Sequence, residues 1–323
     1  MKRISWALQA ALFYLFTLMI SCIPARFVPH AGRLTGLLMH RLLPGRRRIA
    51  VDNIRQALPH MQQCPEWTCT LQTPEEIARE TFIHIGTSLV ETCRLYHGRG
   101  NDLIDRIEIR GWEHYEAARA KGKGIIFLTG HCGNWELVAL AYSRLFKSSM
   151  SVVARRQNNP YLNTMVEKMR MHYENRVIYK DSAMRNMISV IRKDGTIGLL
   201  VDQAVFPEEG ALIPFLGRTA WASKAPVILA HKTGVAILPS FIHRDAGRHV
   251  ITVNPECVFD GANNEEGMTA DVGASHPALR GKARRRCEFL HARRHAGRRA
   301  LRRAGAGHCP IPPRHRRFRR HGR

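Results

Sequence analysis

The apolar positions follow three different patterns along the chain. From Ile4 to Ile23 no charged residue interrupts Ile4-Ser-Trp-Ala-Leu-Gln-Ala-Ala-Leu-Phe-Tyr-Leu-Phe-Thr-Leu-Met-Ile-Ser-Cys-Ile23. About 20 helical residues reach roughly 30 Å, the thickness of a bilayer's hydrocarbon core. The run predicts an uncleaved membrane anchor. A cleaved signal peptide is the rival reading, with Lys2 and Arg3 as its basic start, but Ser21-Cys22-Ile23-Pro24-Ala25 makes a poor cleavage site. Leu34, Leu37, Leu38, Leu42 and Leu43 then recur at helical spacing with Arg33, His40 and Arg41 between them. That pattern suits a helix on an anionic membrane surface, and equally one packed on a core. Helical spacing continues from about Ala50 to Gly100 and includes Ile77, Phe82, Ile83, Ile85, Leu89 and Val90. Thr73-Pro74-Glu75-Glu76 reads as a helix start: a capping hydroxyl, a proline in the first turn, then acids near the positive dipole end.

Beyond Arg110 short apolar runs alternate with amphipathic stretches. Strands are predicted at Gly124–Thr129, Ser151–Ala154, Val177–Tyr179, Thr196–Val201, Val235–Ile242 and His249–Val253. Helices are predicted at Trp135–Phe146, Asn163–Asn175, Ala183–Lys193 and Ala222–Thr233. Such alternation implies an α/β fold: a mixed, largely parallel sheet flanked by helices, behind an N-terminal transmembrane or membrane-associated helix. No internal repeat is present.

Composition sharpens this. The 323 residues suffice for one large α/β domain or two small ones, and a hydrophobic fraction of 45% excludes a disordered chain. The net charge of +24 would ordinarily point to nucleic acid or an anionic membrane. Its distribution changes that. Residues 271–323 hold 17 Lys+Arg against 2 Asp+Glu, and the remainder 33 against 24, so the tail supplies most of the excess. After the anchor, Arg26, Arg33, Arg41, Arg46, Arg47 and Arg48 outnumber Lys2 and Arg3, which places the body in the cytoplasm. The eight cysteines form no CxxC pair and no zinc-like tetrad, and only Cys64 and Cys69 lie close together. Reduced thiols are the expectation in a cytosol-facing protein.

The chemistry concentrates in Lys121-Gly-Lys-Gly124-Ile-Ile-Phe-Leu-Thr-Gly130-His131-Cys132-Gly133-Asn134-Trp135-Glu136-Leu137. A buried strand runs into a glycine-flanked turn and then a helix. Ligands bind at the carboxyl ends of strands in open α/β sheets, and His131 stands there. Gly130 and Gly133 would let a substrate approach the backbone. Glu136, five residues on, can fold back toward the imidazole. A histidine with a carboxylate partner activates a hydroxyl: the histidine accepts the proton, and the carboxylate fixes its tautomer. No G-x-S-x-G setting accompanies it, which favours direct transfer to a bound acceptor over an acyl-enzyme. A structural histidine beside a solvated glutamate is the plain alternative. A metal site from His131, Cys132 and Glu136 is disfavoured, because adjacent residues rarely converge on one ion; no metal or cofactor is expected.

These residues carry a resemblance. The segment resembles the H-x4-[DE] motif of the lysophospholipid acyltransferase superfamily. Gly-His-x-Gly-Asn-Trp-Glu is similar to the bacterial lipid A biosynthesis acyltransferases, the late lauroyl/myristoyl type. Further blocks resemble that family in order: Arg46 to Pro59, Gly86 to Glu91, Arg155-Arg-Gln-Asn-Asn159-Pro160, Asp202-Gln203, and Pro214-Phe-Leu-Gly217. The likeness covers about residues 1–260.

The resemblance implies attack of a membrane glycolipid hydroxyl on an acyl thioester. The thioester is carried by acyl carrier protein or by coenzyme A as co-substrate. His131 would be the general base and Glu136 its partner, and Asn134, Arg155, Arg170, Asp202 and Gln203 would bind substrate. Arginines suit phosphates or a developing oxyanion, since guanidinium gives forked donors. The implied partners are the carrier protein, a glycolipid or lysophospholipid acceptor and the membrane, with no specific nucleic acid. The implied location is the cytoplasmic face of a bacterial inner membrane.

The division expected is an anchor at residues 1–25, a helical membrane-proximal region at 26–105, an α/β acyltransferase domain at 106–268 and an Arg-rich tail at 269–323. The tail departs from the family, which usually ends in a helix carrying Trp, His and Arg. After Asp271 there is no Trp or Tyr, and only Phe289 and Phe318. A shifted reading frame near Asp271 is the expectation; a genuine basic tail that binds anionic lipid or nucleic acid is the alternative. Two other functions compete with the transferase. A non-enzymatic basic membrane- or nucleic-acid-binding protein lacks any RNP, helix-turn-helix or zinc-finger pattern. A hydrolase using His131 toward water would release fatty acid without an acceptor. Lysophospholipid, ornithine-lipid and other glycolipid acceptors use similar motifs.

Overall fold

A computed structural model of the chain describes residues 2–63, 67, 69–245 and 247–259, with Thr269 and Val272. The uncharged N-terminal run forms α1 (Lys2–Ser21), followed by α2 (Val28–Leu42), α3 (Pro44–Gln62) and α4 (Pro74–Tyr96). The predicted start of α4 is a capping box. Thr73 Oγ1 accepts the Glu76 N–H, and the Glu76 carboxylate accepts the Thr73 N–H. α4 is the hub of this region, because α1, α2 and α3 all pack on it. α2 approaches closely enough that a Cβ on Gly36 would lie 2.4 Å from Ile83 Cα, and one on Gly86 would lie 2.4 Å from Gly32 O. The core-packed environment expected of α2 is seen on its glycine face, which packs on α4, while Leu34, Leu38 and Leu42 are exposed. Ile54, Met61, Ile77 and Phe82 form the core beneath α3.

The rest is α/β: α5 (Asn101–Asp105), β1 (Glu108–Arg110), α6 (Trp112–Arg119), β2 (Ile125–Thr129), α7 (Glu136–Phe146), β3 (Met150–Ala154), α8 (Pro160–Arg170), β4 (Arg176–Tyr179), α9 (Ala183–Ile191), β5 (Thr196–Leu200), β6 (Gly210–Phe215), β7 (Arg218–Ser223), α10 (Ala225–Thr233), β8 (Ala236–Asp245) and β9 (Arg248–Val253). Among the described residues seven strands form one sheet in the order β1-β9-β8-β2-β5-β3-β4, parallel throughout except between β8 and β9. The sheet is covered on both faces. Ile126 and Leu128 of β2 join a core with α9 and α10, while Ile125 and Phe127 join Tyr115 and Tyr142 on the opposite side. A strand buried on both faces reads as a continuous apolar run, which is why Ile125–Thr129 was legible.

The register of β2 and β5 sets the level at which each strand stops. Ile125 pairs with Thr196 and Thr129 with Leu200, and the Val201 N–H continues to Thr129 O at 3.0 Å. The two strands end flush, so Gly130-His131 and Asp202 emerge side by side.

Three expectations change. The predicted helix from Ala222 begins instead at Ala225, because Arg218–Ser223 is a strand paired antiparallel with β6. Leu216 and Gly217 both have positive φ, 48° and 76°, the backbone of a tight turn whose twist matches paired strands. Leucine gives no turn signal, so the hairpin was missed. α8 begins at Pro160 rather than Asn163, with Asn159 accepting the Tyr161 and Leu162 N–H groups as its cap. Cys69 is disulfide-bonded, to a partner outside the described residues, so the thiols are not all reduced. The Arg-rich tail lies outside the described residues apart from Thr269 and Val272, and Val272 packs with Ala211, Ile213, Ala222 and Val227.

Candidate active site

The turn after β2 holds His131 beside Asp202. The Asp202 carboxylate grips it twice: Oδ2 accepts the His131 backbone N–H at 2.9 Å, and Oδ1 lies 2.8 Å from Nδ1. A carboxylate only accepts, so the shared proton is on Nδ1 and Nε2 is left as the basic nitrogen. The imidazole stays about one quarter exposed, and the Trp135 ring meets it edge-on at 5.0 Å.

Glu136, expected as the partner of His131, faces elsewhere. It opens α7, and its carboxylate takes the fork of Arg170 from the end of α8: Arg170 Nε donates to Oε2 at 3.0 Å and Nη2 to Oε1. The flush ends of β2 and β5 have already given His131 Nδ1 to Asp202. Burial disfavours the Arg170 charge, but the Glu136 hydrogen bond and charge outweigh it and raise the guanidinium's pKa. Asp202, expected to bind substrate, holds the histidine.

Asn134 is also placed differently. It is buried, donating to Glu91 Oε2 at 2.9 Å and accepting from Thr92 Oγ1 at 3.4 Å, so it joins the turn to α4 rather than facing substrate. Gln203 is exposed just past Asp202, and Arg155 is exposed in the loop after β3. Gly133 has φ 53°, and a Cβ there would lie 2.5 Å from Ile242 O. Its freedom is spent on close packing against β8, not on access for substrate.

Beneath the turn lies a cluster that pattern reasoning missed. Glu91 on α4 accepts from Arg244 Nη2 at 2.7 Å and lies 3.0 Å from His249 Nε2. Arg244 Nη2 also donates to Ser88 Oγ at 2.9 Å, and Ser88 Oγ to Gly133 O at 3.4 Å. Four elements, α4, β8, β9 and the His131 turn, are thereby tied together. Burial alone would raise the Glu91 carboxyl. The hydrogen bond from His249, the charges of Arg244 and His249, and the Arg244 hydrogen bond outweigh it and bring it down to about 2. One signal was available: Glu91 is a lone acid in the apolar stretch of α4. Among the described residues no three His, Cys, Asp or Glu side chains are grouped as a metal would need.

A strand-end histidine with its tautomer fixed and its ring partly exposed is equipped to take a proton from a hydroxyl. Residues 3–273 match the family described as bacterial lipid A biosynthesis acyltransferase. The chain belongs to that family. This family member is therefore an acyltransferase. It is similar to the lipid A biosynthesis acyltransferase of Haemophilus influenzae (strain ATCC 51907 / DSM 11121 / KW20 / Rd), 20% identical over 256 residues that cover 77% of this chain and 76% of the relative. Where the family match ends, at residue 273, lies close to Asp271, where the composition changes.

Proposed function

We propose that this acyltransferase moves a fatty acyl chain from an acyl thioester, on acyl carrier protein, to a hydroxyl of a lipid A precursor at the cytoplasmic face of the inner membrane. The observation that carries the reading is the Asp202–His131 pair at the adjoining ends of β5 and β2, in which Asp202 takes Nδ1 and leaves Nε2 with no hydrogen bond to the described residues. Nε2 takes the proton as the acceptor oxygen attacks the thioester carbonyl. Asp202 holds the imidazolium that forms. The tetrahedral intermediate collapses, and the leaving thiolate takes the proton from His131. Glu136 holds Nε and Nη2 of Arg170, so in this reading it positions a cation for substrate rather than acting on His131. The moderately basic body suits an acidic carrier protein, and a cytoplasmic carrier supports the cytoplasmic face.

Membranes carrying the chain should transfer label from acyl carrier protein to a lipid A precursor within a panel of lipid acceptors. His131→Ala should abolish the product. Fatty acid release without acceptor dependence would make it a hydrolase, and transfer that survives His131→Ala would remove the proposed base.

A further inference from the structure

Apart from Ile20 near its end, α1 turns small and polar side chains toward the body and large apolar ones outward. Ala10, Thr17, Ile20 and Ser21 are buried, while Leu8, Leu12 and Leu15 are exposed. α2 repeats this after its first residue, with Val28, Gly32 and Gly36 inside and Leu34, Leu38 and Leu42 outside. A helix in water does the reverse. Helices that face lipid pack through small residues and leave the large apolar ones for acyl chains. The charge agrees: the first 51 residues contain no Asp or Glu and eight Lys or Arg. The surface is complementary to hydrocarbon bordered by anionic headgroups.

The seating of α1 decides how it meets that lipid. Near its start the Trp6 carbonyl accepts from Asn159 Nδ2 at 3.0 Å, and near its end Thr17 Oγ1 lies 2.9 Å from His97 Nε2. These contacts are about 16 Å apart along the helix axis at the rise of an α-helix. The body therefore accompanies α1 along most of its length. Were α1 to cross a bilayer alone, the exposed segment Arg155–Asn158 beside Asn159 would be carried to hydrocarbon depth, at a cost of several kcal/mol.

We propose that α1 and α2 lie together in the plane of the bilayer surface, outward faces among the acyl chains, with Lys2, Arg3 and the body on one side. This rests on the membrane location proposed above and is independent of the reaction. The first test is protease digestion of inverted inner-membrane vesicles holding the full chain with an N-terminal epitope. The epitope should be cut along with the body; an epitope that survives while the body is cut would make α1 a span and overturn the proposal. The second is flotation with vesicles of equimolar phosphatidylglycerol and phosphatidylcholine. The exposed pairs Leu8→Glu/Leu12→Glu and Leu34→Glu/Leu38→Glu should each weaken binding by about tenfold or more, with circular dichroism unchanged. Unaltered binding by the α2 pair would also overturn in-plane seating. If the unsubstituted protein reached neither membrane nor vesicle, the membrane location itself would fall.

Discussion

Asp202 and Glu91 sit on opposite sides of one turn and bind cation-forming partners at nearly the same distances: 2.8 Å to His131 for Asp202, and 2.7 Å to Arg244 and 3.0 Å to His249 for Glu91. They differ in access. The His131 and Asp202 side chains are 27% and 12% exposed, whereas Glu91, Arg244 and His249 are 7%, 11% and 2% exposed. The first group is open to solvent, while the second is closed to it. Similar residue types are thus placed for different jobs: the rim group for the chemistry proposed above, and the sealed one to fix where the rim group stands. Removing one partner of a sealed charge cluster leaves the others desolvated, which a partly wet pair does not suffer to the same degree.

The widest separation between the two should come from the histidine. His131→Ala is expected to lower kcat by about 10³-fold or more while thermal unfolding hardly moves. A large loss of melting temperature would place His131 in the sealed group and break the contrast. Next, Glu91→Ala should destabilise by about 3–5 kcal/mol, because Arg244 and His249 stay buried without their carboxylate. Urea unfolding beside Asp202→Ala decides this, since equal losses would erase the distinction.

The acid limb tests the same cluster without truncating a side chain. Glu91 falls from its ordinary 4.5 to about 2 on folding, so its contribution is complete above about pH 4.5 and is lost as pH falls toward 2. The shift corresponds to about 3 kcal/mol. Glu91→Gln should flatten that part of the stability curve; an unchanged slope would show that other carboxylates set it. Gly133→Ala should cost about 1–3 kcal/mol, since the turn has φ 53° and the new Cβ would press on Ile242 O. It should also lower kcat, because His131 shares that turn. Full activity would mean that the turn tolerates the shift.

The fold was legible where one period dominated. The doubly buried β2, the capped α4 and the long uncharged run from Ile4 in α1 each carried a local signal strong enough to place them. The hairpin of β6 and β7 was not, because Leu216 adopts positive φ only in the context of its paired strands. At the site, the sequence pointed to His131 and Asp202 but paired His131 with Glu136. Spacing along the chain made Glu136 the near carboxylate, whereas the flush register of β2 and β5 brings Asp202 across from 71 residues away. Glu91, Arg244 and His249 come from three separate elements, and no single segment holds the geometry that makes them one cluster.

The smallest effect separates two neighbouring arginines. Arg156 lies 4.0 Å over the Tyr179 ring, whereas Arg155 is exposed with no side-chain partner among the described residues. A cation over an aromatic face contributes about 0.5–1 kcal/mol at an exposed site. Arg156→Ala should therefore lower stability by about that much and leave KM alone. Arg155→Ala should leave stability within about 0.5 kcal/mol. If Arg155 meets an anionic group on donor or acceptor, its loss removes binding shared by ground and transition states, so KM rises a few-fold at constant kcat. The opposite pattern, a lower melting temperature for Arg155→Ala with KM unchanged, would make Arg155 a part of the scaffold rather than a substrate contact.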